Sequence, residues 1–319
     1  MKYLLALPLI LTFAIVLAGC NTATDTSYEP EPQLPNGKVG EITQINKSDV
    51  TSPRLEAKLA KRSTINAFRA WHLSDGISGY GLYWSGSASP SQHAIVLNEV
   101  YWNYTNTERP VPGIDPYVTK RNWNHDAEYG KTFANKIVDP NFQEFIAETI
   151  SKKILMKNTD GVMLDWWHDN QQFSSGYSER QVKVARVSIA TKLRDRFGSD
   201  KIILGNVNWG KDKATAHFLN GVFLELYKEP YNSSANRLYN SNELTKIEKL
   251  LEFYEANLAA PKLIALEGWR KTAKSFKKVG YNYRDDRNSP QNRKMAKLLT
   301  AMSVVVPTNG YILYGDNNP

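Results

Sequence analysis

One pattern occurs three times in this chain and limits what it can fold into. Asp160-Gly161 opens the apolar run Val162-Met163-Leu164, which stops at Asp165-Trp166-Trp167-His168-Asp169. Asn220-Gly221 opens Val222-Phe223-Leu224 and stops at Glu225, while Asn309-Gly310 opens Tyr311-Ile312-Leu313 and stops at Tyr314. An apolar run this short, begun by a turn pair, suits a strand buried on both faces, as in a parallel sheet. Lys201 to Asn206 and Lys262 to Glu267 have the same look. Between the runs, apolar residues recur three and four apart, from Phe142 to Ile154, Val182 to Phe197, Ile247 to Leu258 and Met295 to Met302. That spacing predicts four helices, the second closed by Gly198 and the third stopped by Pro261.

Strand alternating with helix is the signature of a parallel sheet with right-handed crossovers. Three earlier segments complete the set: Thr64 to Trp71, Ala94 to Asn98 and, loosely, Ile114 to Trp123. The count is then eight, which predicts an α/β fold of the (β/α)8 TIM-barrel type. Ser74 to Pro90 is dense in Gly and Ser and reads as a long rim loop carrying Tyr80, Tyr83 and Trp84. Five residues follow Tyr314, so either the N-terminal part covers the flank of the eighth strand or, the favoured expectation, the sequence is truncated before a last helix.

The N-terminus reads differently. Lys2 precedes the apolar stretch Leu4 to Val16, which ends in Leu17-Ala18-Gly19-Cys20. A basic start, a short apolar segment and small residues at its end make a secretory signal, too short to span a bilayer. Cys20 is the only cysteine, which excludes a disulfide framework and a thiolate metal cluster. Leu17-Ala18-Gly19-Cys20 resembles the lipobox of bacterial lipoproteins, which implies cleavage before Cys20, acylation there and a lipid membrane as partner. Asn21, where an aspartate would signal inner-membrane retention, points to the outer membrane or cell surface of a bacterial envelope. The domain reading is a signal peptide over 1–19, a Pro/Ser/Thr-rich tether over 20–62 and a barrel over 63–319. The formal charge of +8 is scattered, without a basic run or a nucleic-acid motif, so no nucleic-acid partner is expected.

Asp165 and Glu225 would end strands four and six, at the rim where barrel enzymes place their chemistry. Glycoside hydrolysis needs two carboxyl groups flanking one bond, one to protonate the leaving oxygen and one to attack or to activate water. The plainer alternative is a carboxylate that caps a loop or pairs with an arginine. Glu267 ends strand seven and competes with Glu225 for the acid/base role. Of eight tryptophans, Trp71, Trp84, Trp102, Trp166, Trp167, Trp209 and Trp269 fall at or just after strand ends. Aromatic planes pack on the C–H faces of sugars, although large aromatics also simply fill a barrel mouth. Asn98, Asp139, His168 and Asn208 would bond sugar hydroxyls. The five histidines show no metal-binding spacing, and neither a Gly-x-Ser-x-Gly elbow nor a phosphate-cradling loop occurs, so no metal or cofactor is expected.

The stretch Asp160 to Trp167, the segment Ile137-Val138-Asp139-Pro140-Asn141 leading into a helix, and Gly310 to Asp316 together resemble a known family. It is the family of glycoside-hydrolase-like TIM barrels related to endo-α-1,4-polygalactosaminidases and, more distantly, to α-galactosidase-type barrels. The resemblance covers Thr64 to the end. It implies Asp165 as nucleophile, Glu225 as general acid/base, retention of configuration and a polysaccharide substrate. Barrels of the α-amylase type carry an arginine two residues before the nucleophile, where this chain has Met163. The expectation is a membrane-anchored hydrolase of an extracellular or periplasmic polysaccharide. Its rival is a non-catalytic carbohydrate-binding envelope lipoprotein on the same barrel, which would not need Asp165 and Glu225 to converge.

Overall fold

Eight strands form one sheet, and every neighbouring pair in it is parallel. In the computed structural model, residues 52–60, 68–69, 80–84, 93–107, 110–122, 132–169, 176–227, 237–269 and 289–315 are described. The expected signal peptide, Cys20, the tether as far as residue 51, and Trp71 lie outside them. The sheet strands, in spatial order, are β1 (Phe68–Arg69), β2 (Leu82–Trp84), β3 (Ile95–Tyr101), β7 (Gly161–Asp165), β8 (Ile202–Asn206), β9 (Gly221–Leu226), β10 (Leu263–Trp269) and β11 (Gly310–Gly315). Cα atoms of β1 and β11 come within 8 Å, so the sheet curls into a nearly closed barrel. The (β/α)8 expectation holds.

The eight strands are not quite the eight expected. Ile114 to Trp123 is not a barrel strand. Within it, β5 (Val118–Asn122) joins β4 (Tyr104–Asn106) and β6 (Thr132–Asn135) in a separate antiparallel sheet inserted after β3. The run Val118-Thr119-Lys120-Arg121-Asn122 is too polar for burial on two faces, and an antiparallel sheet can leave one face wet. Its place in the barrel is taken by Leu82-Tyr83-Trp84, three buried residues inside the stretch expected to be a loop.

The helices fall where the periodicity puts them: α2 (Pro140–Lys157), α3 (Glu179–Phe197), α4 (Ser241–Asn257) and α5 (Pro290–Val305). Each begins on a polar cap. Asp139 accepts from Asn141 N–H, and Ser289 from Asn292 N–H. Ser178 with Gln181, and Asn240 with Glu243, form reciprocal capping boxes that satisfy otherwise orphaned helix donors. Gly198 ends α3 at φ 54°, as its position predicts. Between β8 and β9 the chain makes only a single 3-10 turn, Ala216–Phe218.

The threefold motif has a structural cause at its front end. Asp160 accepts from Val96 N–H on β3 (2.9 Å), Asn220 from Ile203 N–H on β8 (3.1 Å), and Asn309 donates to Lys262 O beside β10 (2.9 Å). Each polar side chain thus stitches the start of its own strand to the neighbouring strand. The glycine that follows leaves room for that approach. A Cβ on Gly161 would lie 2.0 Å from Ile202 O, and one on Gly310 1.5 Å from Ser303 O.

Another helix corrects the tether at its end. Residues 53–60 are not extended; they form α1 (Pro53–Ala60), which closes the floor of the barrel. Leu55 packs with Phe68, Ile95, Met163, Ile202 and Leu263 of the interior. Lys58 donates to Ala94 O (3.0 Å) and to Asp160 Oδ2 (2.5 Å), and Arg54 stands 2.8 Å from Asp160 Oδ1. Asp160 is fully buried while its cationic partners are partly wet, so Asp160→Ala is expected to cost about 2–3 kcal/mol. A urea midpoint series on the variant checks this.

Candidate active site

Side chains alternate between the two faces of each strand. Ile95, Leu97, Met163, Ile202, Leu204, Phe223, Leu263 and Ala265 fill the barrel interior, whereas Val100, Val162, Leu164, Ile203, Val222 and Leu224 pack under the helices. Continuing the inward series to the strand ends brings Glu99 and Tyr101 of β3, Asp165 of β7, Asn206 of β8, Glu225 of β9, and Glu267 and Trp269 of β10 around the mouth. Four carboxyl groups share this rim.

Asn206 ties the two expected carboxylates together. Its Nδ2 donates to Asp165 Oδ1 (2.8 Å) and to Glu225 Oε2 (2.9 Å). The amide cannot be turned round, because Asn206 Oδ1 accepts from Asn208 N–H (3.2 Å). Asn208 reaches back this way from the left-handed region, at φ 50°. The two legs add to 5.7 Å, so those carboxylate oxygens are no farther apart than that. With roughly 120° between an amide's two N–H bonds, the separation is about 5 Å.

Asp165 is almost fully buried, and its pKa is pushed well above the ordinary carboxylate value. Burial is the main cause, followed by the charges of Glu99 and Glu225; hydrogen bonds from Asn206 and from Trp166 N–H act in the opposite direction. Trp166 offers that N–H from a left-handed conformation, φ 54°, a local strain of about 1 kcal/mol placed directly after the carboxylate. Tyr101, whose hydroxyl bonds Glu99, has its pKa raised by loss of solvent and by Glu99 and Asp165. Neither Glu99 nor Tyr101 nor Asn206 was among the expected site residues. The signal for Glu99 was parity: it follows Ile95 and Leu97 at steps of two.

Glu267 pairs in register with Glu225 but is fully buried, while Glu225 keeps some solvent contact. A group that must exchange protons with a leaving group and with water needs that opening. Among the described residues no group of three or more His, Cys, Asp or Glu has an arrangement that could hold a metal ion.

The aromatic expectations divide. Trp84 is buried in the interior, stacked on Phe68 at 5.2 Å and 20°, so it is core and not a rim contact. Trp167 and Trp102 are also fully buried; their rings meet edge to face at 5.0 Å, and Trp167 Nε1 donates to Thr215 Oγ1 (2.8 Å). Trp166 and Trp269 are half-buried at the mouth, whereas Trp209, also half-buried, packs against the helix layer, with Tyr239 at 5.9 Å and the Lys246 ammonium of α4 5.2 Å from its ring centre. Trp209 Nε1 donates to Tyr227 O (3.1 Å), and Tyr227 and Trp269 meet at 6.4 Å. His168 lies 5.5 Å from the ring of Trp166, within this rim. Two polar expectations are corrected. Asn98 faces the helix layer and donates to Thr159 Oγ1 (2.6 Å), and Asp139 is the cap of α2.

Behind the mouth sits a buried ion network. Arg186 of α3 is fully buried, donates to Asp212 Oδ2 (2.8 Å), Trp167 O (3.3 Å) and Asp169 Oδ1, and lies 5.6 Å from the centre of the Trp167 ring. It braces the turns after β7 and β8. Arg186→Met would leave Asp212 buried without its cation, a loss of about 3–5 kcal/mol that a denaturant titration would measure.

No protein-family model matches the chain, and no curated protein is similar enough to match it. Solved structures do. The glycoside hydrolase domain of PelA from Pseudomonas aeruginosa is 12% identical, with TM-score 0.50 over 79% of this chain and 94% of that one. Ega3 of Aspergillus fumigatus, solved with galactosamine, is 9% identical, with TM-score 0.49 over 78% of this chain and 89% of that one. At 12% identity the likeness to the PelA domain is one of fold alone, and it agrees with the barrel described above.

Proposed function

We propose that the protein is a retaining O-glycoside hydrolase of an extracellular or periplasmic polysaccharide, held to the bacterial envelope through Cys20. The observation that carries the reading is the Asn206 bridge, which brings one carboxylate oxygen of Asp165 and one of Glu225 within 5.7 Å of each other at the mouth of the barrel. Retaining enzymes place their carboxyl groups about 5–5.5 Å apart and inverting ones about 6.5–9.5 Å apart. A carbohydrate-binding lipoprotein has no need of such convergence.

In this mechanism Asp165 attacks the anomeric carbon while Glu225 gives its proton to the departing oxygen. Glu225 then takes a proton from water, which displaces Asp165 from the sugar. Asn206 and Trp166 N–H direct their donors at Asp165, favouring the charge there. Burial, and after it the charges of Glu99 and Glu225, act the other way and raise the pKa of Asp165. Trp166 and Trp269 offer planes for sugar rings, and Asn208 and His168 offer polar edges.

Asn206→Ala removes a bond that lowers the Asp165 pKa. The acid limb of the kcat/KM profile should therefore move to higher pH, with a loss of about 10²-fold at the optimum. The first test is release of reducing ends from a panel of bacterial and fungal polysaccharides by the purified full chain. Release by the native protein and none by Asp165→Asn is expected; equal release by both would sink the assignment.

A further inference from the structure

The floor of the barrel has a surface that the mouth chemistry does not use. Helices α2 and α5 end at the floor, because the strands that follow them, β7 and β11, begin there. Their last turns expose large apolar side chains: Leu155 at 69%, Met156 at 86% and Val305 at 79%, with Val304 beside it. β7 is the fourth strand round the barrel and β11 the eighth, so these two prongs stand on opposite sides of α1.

Cations crowd the same face. Lys157 flanks the α2 prong in the exposed last turn, as does Lys152, which pairs with Glu148 (2.5 Å); Lys153 between them has its ammonium pKa lowered by burial and then by Lys157, with Glu99 opposing. Arg54, Lys58 and Lys201 gather round Asp160. Lys201 is lowered first by burial and then by Arg54, with Lys58 adding to this and Asp160 and Asp200 opposing it. Positive charges close enough to disfavour one another, with apolar side chains projecting beside them, match an anionic lipid surface. The polypeptide also meets the barrel on this face, since α1 begins at Pro53 and spans the floor. Cys20 lies upstream of that point in sequence.

We propose that the barrel floor rests on an anionic membrane surface, with Leu155, Met156 and Val305 seated among the headgroups and the mouth facing away. The bilayer is met by the last turns of α2 and α5. No helix among the described residues is long and apolar enough to cross it. The acyl anchor of the proposed function brings the floor within reach; the contact itself is made by the floor's own side chains.

The test uses the full lipidated chain with single cysteines introduced as Met156→Cys, Val305→Cys and, on the mouth side after β8, Lys213→Cys. Each is labelled with an environment-sensitive fluorophore and reconstituted in phosphatidylglycerol/phosphatidylethanolamine vesicles containing headgroup spin-labelled lipid. Quenching several-fold stronger at 156 and 305 than at 213, reduced by 0.5 M salt or by neutral phosphatidylcholine, is expected. Equal quenching at all three sites, or none in protein that floats with the vesicles, overturns the proposal. Protein that fails to float refutes the anchor instead. The same labelled protein added to phosphatidylglycerol vesicles at low salt then still decides the floor contact. A dimer in detergent that Val305→Glu dissociates would assign this face to a second copy and also overturn it.

Discussion

Asp165→Asn should abolish hydrolysis and stabilise the fold at neutral pH. The first effect follows from the geometry. An amide in place of the carboxylate keeps the bond from Asn206 but cannot form the covalent bond to the anomeric carbon, so kcat should fall by roughly 10⁴-fold or more. The second follows from linkage. The folded-state pKa of Asp165 is raised, so the native protein holds a proton that the unfolded chain gives up above about pH 4. That contribution to stability is complete below the unfolded pKa and is lost as pH rises through the folded one. The native protein should therefore lose stability from acidic to neutral pH, and the variant should lose less. At pH 7 the variant is expected to unfold about 1 kcal/mol later in urea, the usual scale of relief at a destabilised active site. A variant that is inactive and less stable would show that Asp165 is a structural carboxylate.

Glu225→Gln should separate the two chemical steps. Removing a general acid typically costs about 10²–10⁴-fold when the leaving oxygen needs a proton. A nitrophenolate leaving group needs none, so the first step should be nearly unaffected with an aryl glycoside. The second step, in which Glu225 takes a proton from water, stays slow, and a burst of nitrophenol should precede slow turnover. Azide, which needs no base, should restore turnover. The same variant at Glu267 should behave differently. That side chain is fully buried beside Glu225, so Glu267→Gln should alter stability and substrate affinity without a burst. If the burst appears with Glu267→Gln and not with Glu225→Gln, the two roles are exchanged.

What the sequence disclosed and what it hid have physical reasons. Strands opened by Asp160-Gly161, Asn220-Gly221 and Asn309-Gly310 were legible because the stitch needs that polar side chain and the close approach at Gly161 and Gly310 leaves no room for a Cβ. Leu82–Trp84 was hidden because three residues among Gly and Ser carry too little periodicity to register. The carboxylates at 165 and 225 stood out as charges ending apolar runs. Parity did not stand out. A strand buried on both faces gives no alternation from which to tell the interior from the helix layer. Asn98 and Trp167 therefore looked like rim residues although they face the helices, and Glu99 and Asn206, which face inward, were passed over. Trp84 points inward as well, but too deep to meet a substrate.

Retaining hydrolysis at this site depends on the carboxylate spacing that Asn206 sets. The most direct measurement is the configuration of the first sugar released, followed by proton NMR before mutarotation. Retention is predicted, because two carboxylates bridged by one amide nitrogen fit the closer spacing of retaining enzymes better than the wider spacing that admits a water. A product of inverted configuration would contradict the account.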